Sequence, residues 1–173
     1  MSDASSAEIS KVRRDWATEH REIYLRSGGT QGHIMDITAV GGHQFSTHCL
    51  IRYKGRKSGK TFITGLCYSA IGGEIVICGS KGGADHHPDW YLNLVANKGV
   101  EFQVATQAFR GTWREPAAPE REQVWSLMVK NFPFYAKYQE ATERVLPLVM
   151  MKAVESIPVF KESDATGIRQ FKT

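Results

Sequence analysis

The spacing of apolar residues changes period several times along the chain, and each change predicts an element. Ile9, Val12, Trp16 and Ile23, flanked by Ala17 and Tyr24, follow helical spacing. Ser5-x-x-Glu8 forms a capping box ahead of them, and Gly28-Gly29 ends the run. A first helix is therefore expected within residues 1–27. Residues 28–46 hold five glycines and little periodicity, the pattern of a loop or irregular strand. Strand signals follow. Thr47–Lys54 and Thr61–Ser69 are β-branched and aromatic, and Glu74–Cys78 is a short apolar run after the Gly72-Gly73 turn. The period then lengthens over Asp85–Asn97, where Pro88 precedes Trp90, Leu92, Leu94 and Val95, so a short helix is expected. Val100–Thr106 alternates again, and Phe109–Arg114 continues as a strand. Pro119 with Glu120 and Glu122 opens a helix carrying Val124, Trp125, Met128 and Val129. Pro133 breaks it, Phe134–Arg144 adds a helical turn or two, and Val145–Met151 reads as a last strand.

Strands that follow one another are joined by short turns, not by helical crossovers. That order predicts an antiparallel sheet closed as a small barrel with helices outside, an α+β, mainly β fold. It argues against a doubly wound parallel sheet. With 173 residues the chain is one domain at roughly 150 residues per domain. Hydrophobic residues at 42% and charged residues at 23% exclude a largely disordered chain. The longest clear apolar run, Leu146 to Met151, is six residues and contains Pro147, far short of the roughly 20 needed to span a bilayer. Met1 to Ser6 is small and polar, which predicts no secretory signal.

Twenty-two Lys and Arg against 18 Asp and Glu give a net charge of +4. That favours an anionic ligand but is too small to imply nucleic acid. Cys49, Cys67 and Cys78 are three and scattered among apolar residues, so buried reduced thiols and a cytoplasmic protein are expected. Lys11, Arg13, Arg14, Arg21 and Arg26 make the first helix basic. Asp15, Glu19 and Glu22 dilute that charge, so a solvated face is the plainer reading and peripheral contact with an anionic membrane the sharper one.

Two turns carry glycines and cations together. Gly55-Arg56-Lys57-Ser58-Gly59-Lys60 joins two expected strands. It is not a Walker A loop, because three residues rather than four precede the Gly-Lys pair and a strand rather than a helix follows. Its backbone N–H groups can hold a phosphate, with Arg56 or Lys57 supplying charge; a solvated hairpin tip is the alternative. Ser80-Lys81-Gly82-Gly83 follows a strand and precedes a helix, where free N–H donors and a point charge favour an anion. In the helix after it, Trp90, Asn93 and Leu94 share one side and Tyr91 lies near the other. Phe132, Phe134, Tyr135 and Tyr138 cluster around Pro133, as pocket walls or as a barrel plug. A tyrosine hydroxyl at such a wall can donate a proton. None of the six histidines has a metal-ligand spacing, and Asp85-His86-His87 reads as a surface helix start.

Gly55-Arg56-Lys57-Ser58-Gly59, Ser80-Lys81-Gly82-Gly83-Ala84, Pro88-x-Trp90-Tyr91-Leu92-Asn93-Leu94-x-Ala96-Asn97 and the run from Pro133 through Tyr135 and Tyr138 to Gln139 occur in that order. Together with Thr142-x-Arg144 and Leu146-Pro147, this ordered set resembles the deazaflavin-dependent nitroreductase (quinone reductase) family of actinobacteria over about residues 46–151. The resemblance implies a split β-barrel, related to FMN-binding and pyridoxamine-oxidase-like folds. It implies a domain over residues 28–154, with residues 155–173 as a tail outside it. It also implies the 8-hydroxy-5-deazaflavin coenzyme F420 as hydride donor, with FMN as the alternative cofactor of the same architecture. By position, Arg56, Lys57, Ser58 and Gly59 would meet the cofactor phosphate and glutamate tail. Ser80, Lys81, Gly82 and Gly83 would lie along the deazaflavin, beside Trp90, Tyr91 and Asn93. Tyr135 and Tyr138 would be catalytic, Tyr135 as proton donor, and Cys67, Phe132 and Phe134 would wall the substrate pocket. The expected reaction is hydride transfer to a quinone, nitroaromatic or activated alkene by a monomer or weak homodimer; a non-catalytic deazaflavin-binding protein is the alternative. The chain departs from the family at Thr61-Phe62, where a Pro-Arg pair is usual, at Gly65 for a proline, at Cys67 for an aromatic and at Phe132 for a tyrosine.

Overall fold

The computed structural model describes residues 17–167. The expected capping box, Ile9, Val12, Trp16 and the cations at 11, 13 and 14 lie outside the described residues. The first helix, α1, is helical over residues 17–26. The strands are β1 (Ile34–Met35), β2 (Ser46–Lys54), β3 (Thr61–Cys67), β4 (Ser69–Ile71), β5 (Glu74–Cys78), β6 (Val100–Val104), β7 (Gln107–Arg114) and β8 (Leu148–Ile157). The remaining helices are α2 (Asp89–Asn97), α3 (Glu120–Asn131) and α4 (Phe134–Glu140).

The described strands pair antiparallel in the order β1-β2-β6-β7-β8-β5-β4, and β3 pairs with the free side of β2. Only Tyr68 separates β3 from β4. One continuous segment therefore pairs with β2 at one end of the sheet and with β5 at the other. That closes the sheet on itself as a split β-barrel, the fold expected from the strand order. Gly72 and Gly73, both at positive φ, make the two-residue turn between β4 and β5.

Both faces of the central strands are covered, which explains their near-continuous apolar sequence. Cys49, Ile51 and Tyr53 of β2 alternate into the barrel, where they meet Ile77, Phe102, Val149, Met151, Trp90 and Leu94. Leu50 and Ile63 point the other way, beneath Tyr24 of α1 and Phe160. Outside β5 and β8, Val76, Cys78, Leu148 and Met150 pack against Val124 and Met128 of α3 and Tyr135 of α4.

The buried face of α1 meets the barrel. Tyr24 is fully buried; its hydroxyl donates to the His48 carbonyl at 3.1 Å and accepts from the Ala105 amide at 2.8 Å. Gly29, at φ +90°, lets the chain leave α1 across the β6–β7 turn; a Cβ there would lie 1.7 Å from the Ala105 carbonyl oxygen.

Several sequence boundaries shift. The helix expected from Asp85 starts at Asp89, because Pro88 is extended (ψ 149°) and disfavours helix before it. The helix expected to reach Arg144 ends at Glu140. The last strand runs to Ile157, six residues past Met151, because its outer half is exposed and polar and has no strand signature. Of the tail expected from residue 155, residues 155–157 belong to β8 and residues 158–167 pack on the barrel. Phe160 is 1% exposed, its amide donates to the Gln103 side chain at 2.8 Å, and the Arg52 guanidinium lies 4.3 Å over its ring. Asp164 pairs with Arg52 at 2.8 Å, and the amides of Thr166 and Gly167 donate to the Thr61 carbonyl. Residues 158–167 thus strap the start of β3. Phe160→Ala is expected to destabilise the fold by about 3–5 kcal/mol, read as a lower urea midpoint; an unchanged midpoint would mean that the strap is only appended.

Candidate active site

The β2–β3 turn is shaped by its own serine and glycines. The Gly59 amide donates to the Gly55 carbonyl at 2.9 Å, and the Lys60 amide to Ser58 Oγ at 3.2 Å. Gly59 takes φ +68°, a conformation that other residues resist. Arg56 is not free to meet a ligand. Its backbone amide and its Nη1 both donate to Asn93 Oδ1 at 2.9 Å, and its Nη2 lies 3.5 Å from Asp89. Asn93 is 5% exposed and therefore serves first as the anchor that ties this turn to α2. Lys57 remains an exposed cation, and the amides of Lys57 and Ser58 have no partner among the described residues. A cavity of about 190 Å³ opens here, lined by Tyr53, Arg56, Lys57, Ser58, Phe62 and Asn93 among others.

The second turn lies on the other side of the first turn of α2. Ser80 is right-handed (φ −78°, ψ −41°), and Lys81, Gly82 and Gly83 follow at φ +45°, +65° and +84°. A right-handed residue followed by a left-handed one points successive N–H groups into one concavity, which is an anion nest. The amides of Gly83 and Ala84 close the turn by donating to Ser80 and Lys81. Those of Ser80, Lys81 and Gly82 have no partner among the described residues. Lys81 Nζ lies 2.6 Å from His86 Nε2.

Helix α4 packs directly on this nest. A Cβ at Gly83 would fall 2.7 Å from the Tyr138 carbonyl oxygen and 3.0 Å from its Cα. That close approach sets Tyr138, and Tyr135 one turn earlier, beside the nest. The rings of Phe134, Tyr135 and Tyr138 touch edge-on or tilted with centroids 4.8–6.3 Å apart. Tyr135 is 5% exposed. Its hydroxyl makes no hydrogen bond among the described residues, yet no fully buried side-chain polar atom lacks a partner. The hydroxyl is therefore not completely buried. Burial pushes its pKa well above the usual tyrosine value, so the hydroxyl stays protonated and keeps an O–H to donate.

Other expected contacts fall differently. Trp90 is 2% exposed and packs in the barrel interior with Leu94, so it has no face left for a cofactor. Phe132 is 1% exposed and belongs to the core under α3, so it does not wall an open pocket. Tyr91 is half-buried; its hydroxyl donates to Glu115 at 3.0 Å, and burial and that carboxylate push its pKa up to about 12. Phe134 is partly exposed at the ring cluster. Cys67 Sγ lies 3.4 Å from His48 Nε2, and burial pushes the thiol up to about 12, which makes it a poor nucleophile. A larger cavity of about 620 Å³ shares Tyr53; of its three cations, Arg52 and Arg110 are paired with Glu101, Asp164 and Glu155, and Lys54 is exposed.

The spacing of residues gave no sign of Arg144. Its guanidinium donates to the carbonyls of Ala84, Gly79 and Ser80 at 2.7, 3.1 and 2.8 Å, and so fastens the nest from behind. A lone arginine in a loop has no periodic signature, and these contacts span about 60 residues of chain.

A split β-barrel with two glycine–cation turns on either side of one helix is the frame in which the comparisons place an oxidoreductase. Residues 16–153 match the model of the F420H(2)-dependent quinone reductase family, and the chain belongs to that family. It is 32% identical over 135 residues to an F420H(2)-dependent quinone reductase of Mycobacterium tuberculosis, covering 76% of this chain and 86% of that protein. A solved F420-H2 dependent reductase (FDR-A) is 36% identical, with a TM-score of 0.56 over 61% of this chain and 93% of that one. A second solved structure, a domain-swapped dimer, is 33% identical, with a TM-score of 0.59 over 81% of this chain and 99% of that one. No helix among the described residues is long and apolar enough to cross a membrane.

The histidines under α1 make the fold sensitive to acid. His48 sits against the ring of His20 at 4.9 Å; its Nδ1–H donates to the Ser46 carbonyl, which leaves Nε2 to accept from the Cys67 thiol. Burial, then the neighbouring His20, lowers its pKa to about 4. The unfolded chain takes up this proton near pH 6.5, and the folded one near 4, so stability is full above 6.5 and is lost as pH falls toward 4. At pH 5 the loss from His48 is about 2 kcal/mol. His20 and His33 are shifted the same way by burial. Urea midpoints should fall between pH 7 and pH 5, and fall less in His48→Gln; equal falls would contradict this.

Proposed function

We propose that this chain reduces quinones with F420H2 at the barrel end where the two turns, α2 and α4 converge. The observation that carries this is the set of three unpartnered amides at Ser80–Gly82, with the backbone of α4 packed on the same turn at Gly83. The residues present fit the cofactor: an anion nest, a second turn with an exposed lysine, and a cavity between that turn and α2. When bound, coenzyme F420 supplies a hydride as a two-electron donor. The amides of Ser80, Lys81 and Gly82 would hold the deazaflavin edge. Lys57, with the amides of Lys57 and Ser58, would hold the phosphate and glutamate tail. Arg56 acts one step back, by fixing that turn to Asn93 and Asp89.

Tyr135 donates a proton to the quinone oxygen as it is reduced, and Tyr138 and Phe134 flank the acceptor ring. The packed rings also keep water from the reacting face. Nitroaromatics and activated alkenes, flat acceptors of the same kind, are the wider substrate class. We place the enzyme in the cytoplasm as a monomer or weak homodimer, with peripheral membrane contact through the basic first helix as the alternative; the described part of that helix buries Tyr24 and Leu25 against the barrel.

The test is anaerobic oxidation of F420H2 with menadione as acceptor. Lys57→Ala should weaken cofactor binding about tenfold and leave kcat within about twofold. Tyr135→Phe should lower kcat by roughly a hundredfold with cofactor affinity unchanged. Turnover by Tyr135→Phe equal to the parent would remove the proton donor. Turnover with FMN in place of F420 would overturn the cofactor.

A further inference from the structure

Arg144 lies in the loop between α4 and β8 and makes four hydrogen bonds. Nε donates to the Ala84 carbonyl, Nη2 to that of Ser80, and Nη1 to that of Gly79 and to His87 Nδ1, at 2.7–3.1 Å. In a trans peptide the C=O and the following N–H point in opposite directions. Where the Gly79 carbonyl faces Arg144, the Ser80 amide faces away from it. Where the Ser80 carbonyl faces Arg144, so does the Lys81 amide face away. These are two of the three unpartnered amides of the nest.

We propose that Arg144 is a positioning residue of the reductase site: by holding the Gly79, Ser80 and Ala84 carbonyls, it presents the Ser80 and Lys81 amides to the cofactor in advance of binding. This rests on the reading that the Ser80–Gly83 turn meets the deazaflavin. The turn needs such a restraint. Lys81 is left-handed at φ +45°, a conformation that costs a non-glycine residue free energy unless its surroundings impose it. Arg144 is itself fixed, since Gln139 Nε2 donates to its carbonyl at 2.8 Å and Gln139 Oε1 accepts from Leu146 at 3.0 Å. Gln139 belongs to α4, so the nest and the helix of Tyr135 are set by one network. A lysine at 144 cannot replace a planar fork that reaches three carbonyls at once.

The experiment measures F420 affinity in Arg144→Ala and Arg144→Lys, with millimolar guanidinium or methylammonium added to each. Arg144→Ala should bind F420 at least tenfold more weakly. Its quinone KM, and its kcat at saturating cofactor, should stay within about twofold of the parent. Guanidinium should restore much of the affinity of Arg144→Ala, and methylammonium none. Arg144→Lys should remain weak. Parental affinity in either variant would overturn the proposal, and so would a loss that guanidinium leaves untouched. If Arg144→Ala does not fold, Arg144→Lys decides alone. Failure of the parent protein to bind F420 would instead overturn the cofactor site, and this proposal with it.

Discussion

The pairing of β8 is the constraint on which both binding turns depend. It lies between β5 and β7, with Cys78 opposite Leu148 at its start and Ala108 opposite Ile157 at its end. The chain just before it carries Arg144, which fastens the Ser80–Gly83 nest from behind. The chain just after it carries Phe160, Asp164 and Thr166, which strap the β2–β3 hairpin and its Gly55–Gly59 turn. One strand therefore sets the supports of two turns that are distant in sequence. Helix α2 completes the frame, because its Asn93 and Asp89 hold Arg56 on one side while His87 just ahead of it meets Arg144 on the other.

The chemistry follows from which polar groups that frame satisfies and which it leaves open. Arg56 looks like a ligand-binding cation in the sequence, yet it and Arg144 are both engaged with the protein. They shape backbone amides that have no partner among the described residues. In the proposed site the exposed Lys57 would add charge for the cofactor tail. Burial does the reverse for the rings of α4: it holds Tyr135 protonated and closes its flanks, so that only the hydroxyl can act. An enzyme whose cofactor brings the hydride needs little more from the protein than orientation, a proton and exclusion of water.

How much of this was legible in the sequence depends on whether the signal was local. The apolar run of β5 came out with the same bounds, Glu74–Cys78, because a buried strand announces itself by composition. The barrel followed from short connections between strands. The glycine–cation turns stood out because positive φ and close approach demand glycine, as at Gly59 and Gly83. The outer half of β8 was hidden because Lys152–Ser156 is exposed and alternates nothing. Trp90 and Phe132 were expected at ligand faces because aromatic residues in a motif say nothing of which way they point; both are core. Arg144 entered only as part of a family pattern, since its role depends on carbonyls about 60 residues upstream.

The central claim is that two separate turns hold two parts of one cofactor, and equilibrium binding tests it most directly. F420 and its riboflavin-level analogue, which lacks the phosphate and glutamate tail, would each be titrated into the protein at low and at high salt. The account predicts that F420 binds much more tightly than the analogue at low salt, and that added salt removes most of the difference while the analogue's weak affinity barely changes. Equal affinities for the two, or a salt dependence shared by both, would contradict it.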